Sequence, residues 1–195
     1  MMIYKSAQAD PQEIAAALKN GAAAVLPTDT VYGLCVLAAQ EAKDKLDKIK
    51  NNPPGKPPQV LCTYDMALTL AENTPAFLKA AALWPGPLTL IAKSSPQGAL
   101  LTGDTIGLRV PADDFILQII KLLGAPLFAS SANMHGAQVC ESEADVLKYF
   151  AQTADIIVLK GDIKTKPSAL VDISGTQIKV LREGALSLKR LLDAQ

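Results

Sequence analysis

Two short segments hold the densest groups of hydrogen-bonding side chains in this 195-residue chain. Pro27-Thr28-Asp29-Thr30-Val31-Tyr32-Gly33-Leu34 packs two hydroxyls, a carboxylate, a phenol and a glycine into one turn. Hydroxyls and free backbone N–H groups at a helix start can hold an anion or a small amino acid. The same residue types also make an ordinary turn and helix cap. Ser130-Ser131-Ala132-Asn133-Met134-His135-Gly136 again offers hydroxyls and an amide, which donate to phosphate without the desolvation cost of a buried charge. It reads equally as an N-cap with a helix behind it. Arginine supplies a third clue: only Arg109, Arg182 and Arg190 are Arg among the nineteen basic residues. Arg109 lies inside the apolar run Ile106–Val110 and Arg182 follows Val180-Leu181. A planar bidentate donor at either place suits a carboxylate or phosphate ligand, or for Arg109 a structural carboxylate.

Other chemistries are set aside. A single histidine, His135, cannot build a His-based metal site, and Ser131 with His135 lacks an orienting acid at a recognisable spacing. Neither the Walker phosphate loop nor GxGxxG is present. Trp84, in Trp84-Pro85-Gly86-Pro87, reads as a loop anchor on the core rather than the wall of a base pocket.

The elements that must position these residues follow from pattern. Asp10-Pro11-Gln12-Glu13 starts a helix and Gly21 stops it. Strand-like runs fall at Ala22–Leu26, Gln59–Thr63, Leu88–Ala92, Ile106–Val110, Pro126–Ala129, Ile156–Leu159, Leu170–Ile173 and Ile178–Leu181. A lysine-rich helix covers about Glu41 to Lys50, and Ile116, Ile119, Ile120 and Leu123 repeat at helical spacing. Short apolar strands separated by helices predict one α/β domain over residues 1–195, with a twisted, open, largely parallel mixed sheet and helices packed on it. Ligands in such folds bind beyond the carboxyl ends of strands.

Bulk composition agrees. Aromatics are scarce at 5%, so Ala, Val, Leu and Ile must make the core. Nineteen acidic residues balance the nineteen basic ones, which gives no global sign of a non-specific grip on nucleic acid. Cys35, Cys62 and Cys140 form no CxxC pair, and no apolar run reaches membrane-spanning length. A cytoplasmic protein, with no membrane partner and no protein-bound metal, is expected.

Several motifs occur here in an order that resembles the YrdC/YciO family: Pro27 to Leu34, Trp84-Pro85-Gly86-Pro87-Leu88-Thr89, Ile106 to Pro111, Ser131-Ala132-Asn133, Lys166-Pro167-Ser168 with Val171-Asp172, and Leu181-Arg182-Glu183-Gly184. The resemblance implies a twisted α/β sheet with a concave face for ligand or RNA. It implies a threonylcarbamoyl-AMP synthase, a nucleotidyltransferase that joins L-threonine, bicarbonate and Mg²⁺-ATP and releases pyrophosphate. The product serves tRNA modification, with tRNA or double-stranded RNA and tRNA-modification proteins as partners. Residue by residue, it implies threonine contacts at Thr28, Arg109, Ala129 and Ser168. Nucleotide and phosphate contacts fall at Lys50, Thr105, Ser131, Asn133, Val139 and Arg182, with Lys50 and Arg109 in the catalytic roles. Such a reaction needs cations and hydroxyls to position reactants and absorb charge, not a covalent nucleophile.

Three positions depart from the synthase pattern, and one of them is His135, which stands where a serine is usual. In Lys50-Asn51-Asn52-Pro53-Pro54-Gly55-Lys56-Pro57-Pro58-Gln59-Val60-Leu61-Cys62, Asn52 stands where the family carries Arg and Leu61 where it carries His. Lys56 is the substitute cation available to the phosphates. The segment looks closer to the YciO branch, which implies an alternative: a non-synthase relative that binds double-stranded RNA, tRNA or the ribosome. A carbamoyl-adenylate domain as in hydrogenase maturation fits poorly, because no zinc-finger or acylphosphatase segment accompanies it.

Overall fold

The computed structural model describes residues 1–53, 55 and 57–187; Lys56 and Arg190 lie outside the described residues. In chain order the elements are β1 (Met2–Lys5), α1 (Pro11–Lys19), β2 (Ala24–Leu26), β3 (Gly33–Leu37), α2 (Gln40–Lys50), β4 (Gln59–Leu61), α3 (Tyr64–Leu70), α4 (Pro75–Ala81), β5 (Leu88–Lys93), α5 (Pro96–Thr102), β6 (Thr105–Arg109), α6 (Asp114–Leu123), β7 (Leu127–Ser131), α7 (Glu143–Phe150), β8 (Ile156–Leu159), β9 (Ala169–Asp172) and β10 (Lys179–Arg182). Local chemistry explains the helix starts. Asp10 accepts the Gln12 N–H ahead of α1, Asp113 accepts the Ile116 N–H ahead of α6, and Ser142 with Asp145 forms a reciprocal capping box on α7.

The strands form one sheet in the order β1-β8-β2-β3-β7-β4-β6-β5-β9-β10. Among the described residues four neighbouring pairs are parallel and five antiparallel. The fold is therefore α/β with a mixed sheet, and its parallel share is smaller than the alternation of strands and helices suggests. The reason is local: β2 runs into β3 across the 27–32 loop with no helix between, so the pair is antiparallel. Neither polar segment caps a helix. The first leads into β3 and the second into an irregular 132–142 stretch.

Strand residues alternate between two apolar clusters, as a pleated sheet requires. Val25, Leu34, Val36, Val60, Leu108 and Phe128 pack with α2, α3, α4 and α7 on one face. Ala24, Leu26, Cys35, Leu61, Leu127 and Ala129 pack with Ile14 and Leu18 of α1 and Ile116, Ile119, Ile120 and Leu123 of α6 on the other. Fully burying each Ile or Leu of that α6 stripe stabilises by about 1.5–3 kcal/mol. That second cluster contains no residue of β5, β6, β9 or β10. The second face of those strands is thus left to Thr89, Ile91, Gly107 and Arg109, Leu170 and Asp172.

Charged tethers hold the outer elements. Burial pushes the Asp155 carboxyl up, but the Ala23 N–H and the Lys45 ammonium more than offset this and hold it below its ordinary value. The Lys5 ammonium and the Gly161 N–H lower Glu143, and the Ser142 hydroxyl lowers Asp145. All three native carboxyls therefore bind protons less readily than in the unfolded chain. Their stabilisation is complete above the unfolded value of about 4 and is lost as pH falls through the native values. Urea midpoints should be flat from neutral pH down to about 5 and fall below about 4. Asp155→Asn should flatten that acid limb, and an unchanged limb would exclude this tether.

Candidate functional site

Cross-strand partners share a face, so the register maps this second face as rows, which run from the part that α1 and α6 cover to the part left open at β6, β5, β9 and β10. Leu127 pairs with Leu61 and Leu61 with Arg109. One step beyond the Leu90–Leu108 pair, Arg109 faces Thr89, which pairs with Leu170, which pairs with Arg182. The next row runs Cys35, Ala129, Gln59, then Gly107, Ile91 and Asp172. A third holds the Gly33–Ser131 and Lys93–Thr105 pairs. The first and third rows are four residues apart along a strand, roughly 13 Å. Arg182 joins the first row because the β9–β10 register shifts between Val180 and Arg182. Without that bulge Leu181 would face this side.

Arg109 is buried, 4% exposed, and the 27–32 loop is built around it. Its Nη2 donates to Asp29 Oδ1 (2.6 Å), its Nη1 to Thr30 Oγ1 (2.9 Å) and its Nε to the Gly86 carbonyl (3.2 Å). Three of five N–H groups are thereby used, and one on each Nη remains, the fork that matches a carboxylate. Thr28 Oγ1 donates to the Val31 carbonyl (2.7 Å), accepts the Thr30 and Val31 N–H groups, and lies 3.1 Å from Thr30 Oγ1. The loop is thus a self-satisfied hydroxyl turn.

Ser168 completes this group. Its hydroxyl is 2.8 Å from Thr89 Oγ1, both side chains are buried, and its carbonyl accepts from Arg182 Nε (3.2 Å) and Nη2 (2.9 Å). The tail of β10 comes this close because Gly184 has no side chain. A Cβ there would stand 2.2 Å from the Ala169 nitrogen and 2.4 Å from the Pro167 carbonyl. Tyr32 holds the approaching 160–168 segment, donating to the Gly161 carbonyl (2.7 Å) and accepting the Lys160 N–H (2.9 Å). Thr165 of the same segment donates to the Thr30 carbonyl. Partial burial and the like charge of Arg109 hold the Arg182 guanidinium below its ordinary pKa. Two guanidiniums this close, with Asp29 as the carboxylate bonded to Arg109, favour a further anion.

A second group lies beside it. Lys50, at the C-terminus of α2 and 3% exposed, donates to the Ser131 carbonyl and to Asn133 Oδ1 (3.1 Å). Ser131 Oγ donates to the same amide oxygen (2.6 Å), and Asn133 Nδ2 donates to the Met134 and Ala137 carbonyls, both at 3.0 Å. Cys140 returns to this loop through its N–H to the Ala132 carbonyl, which sets the half-buried Val139 beside it. The two groups abut at Gly33. A Cβ there would meet Thr28 Cγ2 at 3.6 Å and the Ser130 carbonyl at 3.7 Å.

Thr28 and Arg109 are thus bonded through Thr30, Ser168 and Arg182 form a bonded pair that adjoins them through Thr89 in the row of Arg109, and Lys50, Ser131 and Asn133 form a further group next to these. Ala129 sits between them on the same face. Thr105 is exposed at the far end of β6 from Arg109, level with Ser131, and makes no side-chain bond to either group. Trp84 is a core anchor, donating to the Leu88 carbonyl (2.7 Å) and meeting Phe77 edge-on at 6.0 Å. The turn that follows it serves the site instead, through the Gly86 carbonyl on Arg109. The cysteines take no part: burial pushes Cys35 and Cys62 up to about 12 and Cys140 up to about 11. Among the described residues no three His, Cys, Asp or Glu stand together to hold a metal, and no helix is long and apolar enough to cross a membrane.

Sequence reasoning did not assign Asp29, Thr30 and Thr165 to Arg109 and its loop. Asp29 and Thr30 were in view within the motif, but only the folded-back loop pairs them with a strand 79 or 80 residues away.

The comparisons with known proteins span these loops. A family model described as telomere recombination, covering Sua5, YciO and YrdC, matches residues 16–184. The threonylcarbamoyl-AMP synthase of Pyrococcus abyssi is 31% identical over 182 residues, 89% of this chain, and the chain spans about half (54%) of that protein's length. YciO of Escherichia coli is 27% identical over 192 residues, 90% of this chain and 89% of YciO. The structure of P. abyssi Sua5 complexed with L-threonine superposes with a TM-score of 0.88 at 27% identity, over 99% of this chain and 60% of that one. Because the family model spans from α1 to Gly184 and so takes in every one of these loops, the chain belongs to the Sua5/YciO/YrdC family.

Proposed function

We propose that the chain is a threonylcarbamoyl-AMP synthase-type nucleotidyltransferase that acts on L-threonine, bicarbonate and ATP. The observation that carries this reading is the abutment of two polar groups on one sheet face, one suited to a carboxylate and the other to phosphates. The two free N–H groups of Arg109 would take the threonine carboxylate, with Thr28 and Ser168 bordering its side chain. Lys50, Ser131, Asn133 and Arg182 would take the triphosphate, with Thr105 and Val139 at the rim. The threonine amine and bicarbonate form a carbamate with loss of water, a carbamate oxygen attacks the α-phosphorus, the α–β phosphoanhydride breaks, and the electron pair leaves on pyrophosphate. Nearby cations stabilise the charge that builds there. Mg²⁺ enters on the phosphates and neutralises part of their charge. The complex of P. abyssi Sua5 with L-threonine supports threonine as the amino acid. The product serves tRNA modification.

The test is pyrophosphate release from ATP in the presence of bicarbonate, with and without L-threonine. Threonine-dependent release is expected, and its absence would remove this reading. A second reading, a YciO-type RNA- or ribosome-binding protein, is favoured by one observation: Asn52 is bonded back onto α2 and supplies no cation to the face. Salt-dependent binding to double-stranded RNA or tRNA would support it.

A further inference from the structure

Gln59 carries a buried polar atom that nothing in the fold explains. It is half-buried on β4, and its Nε2 is sealed from solvent with no hydrogen-bond partner among the described residues. Leaving such a donor unpaired costs stability, so native folds seldom keep one without a use for it. A Leu or Val would suit this short strand, whose same-face neighbours are Leu61, Ala129 and Gly107, better. The period-two pattern fixes its direction. Val60 joins the cluster behind the sheet, so Gln59 shares a face with Leu61 and hence with Arg109.

Its row is equally informative. Gln59 pairs with Ala129, and one step before the Val60–Leu108 pair it faces Gly107. Both neighbours are small, and a Cβ on Gly107 would have nothing nearer than 3.9 Å. The carboxamide therefore stands over a low floor, two residues from the row of Arg109 and two from the row of Ser131. Turning the amide by 180° exchanges its nitrogen and oxygen, so either end can be offered to a ligand.

We propose that Gln59 determines specificity by hydrogen-bonding the neutral linkage between the amino-acid and phosphate halves of the ligand, a carbamoyl or acyl group. This rests on the synthase-type reading above. A carboxamide pairs one donor and one acceptor with an N–H and C=O, whereas a phosphate in that place would call for a cation.

Calorimetric titration of the full chain tests this with three probes: L-threonine, a non-hydrolysable ATP analogue, and a sulfamate analogue of threonylcarbamoyl-AMP that retains the carbamoyl linkage. Gln59→Leu and the length-matched Gln59→Met should weaken the sulfamate analogue about tenfold, the loss of one hydrogen bond. Binding of the ATP analogue should stay within about twofold, and both variants should melt no lower than the wild type. Sulfamate binding as tight as wild type in both variants would overturn the proposal while the synthase reading stands. Loss of the fold in both would make Gln59 structural and overturn it too. A wild type that binds neither threonine nor nucleotide removes the synthase reading, and this proposal with it.

Discussion

Arg109→Met should lower threonine-dependent pyrophosphate release by about 10²–10³ and destabilise the fold by about 3–5 kcal/mol. Both effects follow from one geometry. The guanidinium is buried and bonded to a carboxylate, a hydroxyl and a carbonyl on two separate loops. Its removal strands the Asp29 carboxylate, whose side chain is only 12% exposed, and takes one partner each from the Gly86 carbonyl and the Thr30 hydroxyl, which keep the Leu88 N–H and the Thr28 hydroxyl. Arg109→Lys should recover little, because one ammonium cannot reproduce the planar fork that spans these three acceptors.

Structural and ligand roles separate in the double variant. Arg109→Met with Asp29→Asn removes the unpaired charge and should regain part of the lost stability in a urea titration. It should still bind no L-threonine by calorimetry. A double variant that regains both stability and threonine binding would make the arginine purely structural and take the carboxylate from the synthase reading.

Much of this site was legible before folding, for reasons that differ by residue. Arg109 stood out as an arginine within an apolar strand of a lysine-preferring chain, and the period-two pattern explains its shared face with Thr89, Gly107 and Thr105. Asp10-Pro11 and Gly21 bracket α1 because capping depends on immediate neighbours. β3 was not legible. Gly33-Leu34-Cys35-Val36-Leu37 is a short apolar run directly after a polar turn, and only its pairing with β2 and β7 makes it a strand. α3, α4 and α5 are seven residues each, too short for a helical period to show. The inward turn of Arg182 was hidden too, because a β-bulge alone decides whether Leu181 or Arg182 faces the ligand side.

The converse experiment adds a charge. Asn51 closes α2 in the left-handed conformation (φ 55°, ψ 41°), and the Asn52 N–H then returns to the Asp47 carbonyl at 2.9 Å. The Asn52 side chain follows, donating to Asp47 Oδ1 at 2.9 Å, while Lys43 holds the other carboxylate oxygen at 2.5 Å. Asn52 lines a hollow of about 510 Å³ with Lys43, Asp44, Asp47 and Lys48 of α2. An arginine introduced here has a carboxylate within reach before it meets any phosphate. Asn52→Arg alone should raise threonine-dependent pyrophosphate release modestly. With Asp47→Asn, which removes the competing charge, the gain should reach about ten- to a hundredfold, the value of a charge-assisted phosphate contact of about 1.5–3 kcal/mol. A gain that appears only in the double variant would locate the deficit in one folded-back arm and leave Lys50, Ser131 and Asn133 competent. If neither variant gains while both bind the ATP analogue as the wild type does, the missing cation is not what limits the chemistry, and the RNA-binding reading takes precedence.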